Sequence, residues 1–215
     1  MMHKVLAGIV LVFAGPVAAE PVVIAALGDS LTQGYGLPAE DGLVPQLQTW
    51  LDQNGAEVTL INAGVSGDTT AGGLSRVGWT LTPDVDGMIV ALGGNDLLRG
   101  LDPAVSRANI DGILNAAQAA DVEVLLVGMT APGNYGPDYK SSFDALYPEL
   151  AEQYEAEFLS SFFAGLAVDG KLPELSQAQS FFQPDGVHPN KEGVARIVMA
   201  MGPKVLDLIE DIKAQ

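Results

Sequence analysis

Apolar positions fall along this chain in two alternating rhythms. Residues 22–27 form a nearly unbroken apolar run, as a strand covered on both faces would. Leu43, Val44, Leu47, Trp50 and Leu51 follow at helical spacing, and Asn54-Gly55 closes that segment. Residues 58–61 and 88–92 predict a second and a third strand. Asp102-Pro103 supplies an N-cap followed by proline at the first helical position. Val105, Ile110, Ile113, Leu114 and Ala117 then predict a buried stripe on that helix. Residues 122–129 read as a fourth strand and Phe158-Leu159 as a weaker one. From Val194 to Ile212 the spacing is helical again, with a kink or break expected at Pro203. Strands alternating with helices imply one parallel sheet between two helical layers. In such sheets ligands bind beyond the carboxyl ends of the strands.

Composition narrows the picture. A length of 215 residues suits one domain with a substantial core. The chain is 48% hydrophobic and 17% charged, which places it among globular proteins. It has no cysteine, so disulfides, thiolate nucleophiles and Cys-ligated zinc are excluded. Lys4, the apolar stretch 5–13 and Val17-Ala18-Ala19 resemble a cleaved secretory leader over residues 1–19. The stretch is short for a span of ~20 residues. A periplasmic or secreted location follows as an expectation, with 20–215 as the working domain and no membrane insertion once the leader is gone. Net charge is −17; removing 1–19 takes Lys+Arg from 10 to 9 and the charge to −18. Such a surface repels nucleic acid and anionic membranes.

Two short segments then carry candidate chemistry. At the end of the first strand, Gly28-Asp29-Ser30-Leu31 turns on a glycine and presents a serine. Near the other end, Asp185-Gly186-Val187-His188-Pro189-Asn190 contains a D-x-x-H pair. His3 and His188 are the two histidines. With His3 in the leader, any histidine-based mechanism must use His188. Two more segments fall at strand ends: Asn62-Ala63-Gly64-Val65-Ser66-Gly67-Asp68 and Gly93-Gly94-Asn95-Asp96. Asp29 and Asp68 are expected to brace these loops. Arg99 is a candidate for substrate contact or for a salt bridge.

Taken together, these blocks resemble the SGNH, or GDSL-type, hydrolase family. Ser66-Gly67-Asp68-Thr69, the run Gly93-Gly94-Asn95-Asp96 through Arg99-Gly100, Pro132-Gly133-Asn134-Tyr135-Gly136 and Asp185 to Asn190 are similar to its exported bacterial thioesterases, lysophospholipases and arylesterases. The resemblance implies a three-layer α/β/α domain on a flavodoxin-like parallel sheet. It implies Ser30 as nucleophile, His188 as base and Asp185 as the group that orients the imidazole. It implies an oxyanion hole from the N–H groups of Ser30 and Gly67 and the side chain of Asn95. Gly64 lies close by, but the family block aligns on Gly67. Tyr135 and Asn134 are expected to border the acyl pocket. No cofactor and no metal are called for, and a monomer is expected.

Competing motifs are weak. Gly34-Tyr35-Gly36-Leu37-Pro38-Ala39 matches a dinucleotide fingerprint only superficially, because Pro38 falls inside it and no strand leads directly into it. A G-x-S-x-G elbow is missing. The expected activity is hydrolysis of small-molecule or lipid esters. Carbohydrate deacetylation on the same fold, and a non-catalytic lipid or glycan module, stay as alternatives.

Overall fold

The computed structural model describes residues 21–167 and 179–215; the expected leader lies outside them. Five strands form one parallel sheet: β1 (Val22–Gly28), β2 (Val58–Gly64), β3 (Gly87–Ala91), β4 (Glu123–Val127) and β5 (Glu157–Leu159). Their order is β2-β1-β3-β4-β5, the flavodoxin arrangement. The expected α/β fold and parallel sheet are therefore present. Ile24, Leu27, Met88, Val90, Leu125 and Leu126 are fully buried within it. Each such aliphatic side chain contributes ~1.5–3 kcal/mol through burial.

Helices cover both faces. They are α1 (Ser30–Gln33), α2 (Leu43–Gln53), α3 (Thr70–Thr80), α4 (Gly94–Arg99), α5 (Pro103–Ala119), α6 (Pro137–Tyr154) and α7 (Lys191–Ala214). One layer pairs α2 with α7, and the other packs α3, α5 and α6 side by side. Asp102 caps α5 by accepting the N–H of Ala104 at 2.9 Å, with Pro103 in the first turn. No helix among the described residues is long and apolar enough to cross a membrane.

Three expectations change. Val105 is half-exposed, and Ser106 takes the buried position beside it. The hydroxyl of Ser106 donates to Asp96 at 2.9 Å, so a polar contact sets the phase of that helical face. α7 runs unbroken through Pro203. The carbonyl that loses its partner there belongs to Met199, which faces solvent, so water can replace the bond. The fourth strand is shorter than its apolar run, ending at Val127.

Strand order reverses between β1 and β3, because the chain leaves β1 for β2 on one side and returns to β3 on the other. The crevice at that reversal is where a ligand site is expected. Ser30 begins α1 after β1, and Asn95 is the second residue of α4 after β3.

Candidate active site

Local sequence shapes each loop. After β1, the side chain of Asp29 accepts the N–H of Leu31 at 2.9 Å and caps α1, which puts Ser30 in the first turn. After β2, Gly67 adopts a left-handed backbone with φ +84°, a conformation that favours glycine. After β3, Gly93 is also left-handed, at φ +116°, and a side chain there would collide with the hydroxyl of Tyr147. That turn starts α4 and lifts Asn95 toward the crevice. The loop before α7 closes through a bridge between Phe182 and Pro189 and a bond from Gln183 N–H to the His188 carbonyl, 2.8 Å.

The loops bring the two ends of the chain together. Ser30 Oγ lies 2.9 Å from His188 Nε2, and His188 Nδ1 lies 2.7 Å from Asp185 Oδ2. A carboxylate at Nδ1 selects the tautomer with its proton there, leaving Nε2 to accept from the serine hydroxyl. Asp185 Oδ1 also accepts the N–H groups of Val187 and His188, at 2.9 and 3.0 Å. The His188 N–H, the His188 ring and the Val187 N–H together hold this carboxyl down at about 2. Asp185 is therefore ionised throughout the neutral range. The ring of Tyr35 leans on the imidazole with centroids 4.6 Å apart.

Ser30, Gly67, Asn95 and His188 line one cavity of about 480 Å³. Asp185 stands behind His188 rather than in the wall. Asn134 and Tyr135 are in the wall, with Leu97, Leu98, Met129 and Phe163 giving it a mainly apolar character. Tyr35, Leu98, Tyr135 and Val187 are exposed at its mouth. The structure thus brings Ser30, Gly67, Asn95, Asn134, Tyr135, Asp185 and His188 together, while Arg99 is not in the wall.

Other residues hold the loops, and the sequence reading missed most of them. Arg76 of α3 ties two strand-end segments together: Nε donates to Asp68 at 2.6 Å and Nη1 to the Ala63 carbonyl at 2.7 Å, both at the end of β2, and Nη2 donates to the Gly28 carbonyl at the end of β1 at 2.8 Å. Asp68 braces its loop as expected, through this ion pair. Arg99 makes no ion pair among the described residues; its Nη2 donates to the Gly67 carbonyl at 2.9 Å. Asp96 is fully buried and accepts the N–H and hydroxyl of Thr70, at 2.9 and 2.6 Å, besides the Ser106 hydroxyl. It ties α3, α4 and α5 together beneath Asn95. Tyr147 donates to the Leu92 carbonyl at 2.9 Å and supports the same turn. Asp29 also accepts from Asn95 Nδ2, at 3.2 Å.

Among known proteins, the GDSL-like lipase/acylhydrolase family matches residues 26–196. The chain is 33% identical over 193 residues to an esterase, TesA, of Pseudomonas aeruginosa, covering 89% of this chain and 90% of that protein. It has the same identity over the same length to the thioesterase 1/protease 1/lysophospholipase L1 of Escherichia coli K12, covering 89% of this chain and 86% of that one. The crystal structure of AlinE4, an SGNH-hydrolase family esterase, is 43% identical with a TM-score of 0.71, covering 89% of this chain and 98% of its own.

Proposed function

Because the chain belongs to the GDSL-like lipase/acylhydrolase family, we propose that it hydrolyses carboxylic esters through an acyl-enzyme on Ser30. The observation that carries this reading is the unbroken pair of bonds from Ser30 to His188 to Asp185 at the edge of an apolar cavity.

In the first step Ser30 Oγ attacks the ester carbonyl as His188 Nε2 takes its proton. Asp185 keeps the Nδ1 proton directed and stabilises the imidazolium that forms. The developing oxyanion accepts from the N–H groups of Ser30 and Gly67 and from Asn95 Nδ2. His188 then protonates the departing alkoxide, and the tetrahedral intermediate collapses to the acyl-enzyme. Water deacylates Ser30 by the same route in reverse, with His188 again as base.

A cavity of about 480 Å³ falls within the range of small-ligand sites and suits short to medium acyl groups. Aryl esters and lysophospholipids fit its apolar wall and mouth. Thioesters are open to the same attack, but a coenzyme A thioester is polyanionic and meets a chain of net charge −17. A carbohydrate acetylesterase calls for a polar cleft, which Leu97, Leu98, Met129 and Phe163 oppose. The intact Ser30-His188-Asp185 chain argues against a non-catalytic module. Function in the periplasm or outside the cell, as a monomer, belongs to the same reading.

The test is labelling with a fluorophosphonate probe, paired with ester hydrolysis. Wild type should be labelled and active. Ser30→Ala should be neither, with an unchanged circular dichroism spectrum. Labelling that persists in the variant identifies a different nucleophile.

A further inference from the structure

Resting on the oxyanion reading above, we propose that Asp29 is a positioning residue that fixes which end of the Asn95 carboxamide faces the substrate. A carboxamide has a donor end and an acceptor end of nearly the same shape, so packing alone distinguishes them poorly. An ionised carboxylate only accepts. Asp29 Oδ1 is engaged by the Leu31 N–H at 2.9 Å, and Oδ2 faces Asn95 at 3.2 Å. Only the NH2 end of Asn95 can meet Oδ2. One of its two protons goes to Asp29, and the other stays free for the oxyanion. If the amide rotated by half a turn, its oxygen would face Asp29 Oδ2 and the oxyanion alike, and both contacts would be repulsive.

The arrangement is fixed from below. Asp29 is 1% exposed, so water does not compete for Oδ2. Gly94 passes close by: a Cβ there would lie 3.2 Å from Oδ2, so any side chain at this position would crowd the carboxylate. Burial pushes Asp29 up to about 6, against the pull of the Leu31 N–H and the Asn95 amide. The charged or titratable groups facing it are His188, Asp96 of α4 and the phenol of Tyr147 of α6, while Arg76 of α3 binds the neighbouring Gly28 carbonyl. A protonated Asp29 presents an O–H, which welcomes the rotated amide by donating to its oxygen. Acid therefore removes the distinction between the two ends of Asn95.

A double-mutant cycle tests this, with kcat and KM measured on one aryl ester. Asp29→Asn keeps the size of the side chain but puts a donor where one of two acceptors is required. Its kcat should fall by ~10–10², below the ~10²–10³ expected for losing the Asn95 donor outright, with KM nearly constant. In the Asn95→Ala background the same change should cost less than about threefold, because residues acting through one another are not additive. Equal costs in both backgrounds would overturn the proposal and assign Asp29 to His188 or to the shape of its loop. An Asn95→Ala enzyme with wild-type kcat would instead remove the oxyanion reading itself. If Asp29→Asn does not fold, the acid limbs decide. That of wild type should be steeper in log kcat against pH than that of Asn95→Ala, whose activity no longer depends on the Asp29 proton. Parallel limbs overturn the proposal.

Discussion

The two sides of the crevice are built differently. On one side Asp185 and His188 sit in the loop that precedes α7, and the Asp185 side chain is 40% exposed. On the other, Asp29, Gly67 and Asn95 follow the three neighbouring strands β1, β2 and β3. Arg76, Asp96 and Tyr147 hold those strand ends from within. Each side has its own aspartate, and the two are perturbed in opposite directions. Hydrogen bonds from the His188 N–H and ring and the Val187 N–H lower Asp185 to about 2. Burial raises Asp29 to about 6. The groups proposed to pass a proton stand near water, where a carboxylate stays ionised at little desolvation cost. Those that must hold still while charge develops rest on rigid elements.

The largest effects should separate the sides by kind. His188→Ala removes the proposed base and should lower kcat by ~10⁴–10⁶. Asn95→Ala removes one of three proposed donors and should lower it by ~10²–10³, with KM nearly unchanged. Steady-state kinetics on one aryl ester measures both. A loss at Asn95 equal to that at His188 would show that the two sides do not divide the chemistry in this way.

The residues proposed to act chemically on both sides are legible because each lies in a short block where identity and spacing are confined to a few positions. Ser30, Gly67, Asn95, Asp185 and His188 all belong to such blocks. The supporting residues were hidden because their partners are remote in the chain: Arg76 meets Gly28, and Tyr147 meets the Leu92 carbonyl. Tyr35 lies inside a glycine pattern that resembles a nucleotide motif, and nothing local joins it to His188, 153 residues on. The sheet was readable from its apolar runs, while α3 and α6 were not. In α3 the buried positions are Thr70, Gly73 and Val77, so the apolar stripe is too thin to read. At Gly73 the reason is space, since a Cβ would run into the Leu92 side chain. In α6 the stripe is present as Phe143, Leu146, Tyr147 and Leu150, but Pro148 interrupts it and hides the helix. Pro148, like Pro203 in α7, lies on an outward face.

A smaller effect sharpens the comparison through pH. Asp29 is raised in the folded state, from 3.8 to about 6. Its contribution to stability is present in full below about pH 4 and is lost as pH rises through about 6. The full difference is about 3 kcal/mol at one pKa unit per 1.36 kcal/mol, reached above about pH 7. Asp185 has the opposite sign: it supports the fold above about pH 4 and ceases to as pH falls through about 2. Urea unfolding of wild type and Asp29→Asn, compared from about pH 4.5 to about pH 8, isolates the Asp29 share. Relative to the variant, wild type should lose about 2 kcal/mol across that interval. A pH-independent difference would mean that Asp29 does not titrate there, and the contrast between the two aspartates would disappear.

The smallest effect concerns the rims. Arg99 stands on the oxyanion side, bound to the Gly67 carbonyl, and the partly exposed Asp185 stands on the base side. A polyanionic leaving group such as coenzyme A feels these local charges and also the whole chain, at −17. The global field acts over distance and salt removes it: the Debye length falls from ~30 Å at 0.01 M to ~10 Å at 0.1 M ionic strength. A contact with Arg99 at a few ångströms is screened much less. If the global field dominates, kcat/KM for an acyl-coenzyme A should rise with salt over this range relative to a neutral aryl ester of the same acyl length. A gain of a few-fold is expected, because the field changes encounter rather than chemistry. The measurement is the ratio of the two kcat/KM values. A flat ratio, or a preference for the thioester at low salt, would mean that Arg99 outweighs the remote carboxylates. The electrostatic argument against coenzyme A thioesters would then fail, and the oxyanion rim would set leaving-group preference.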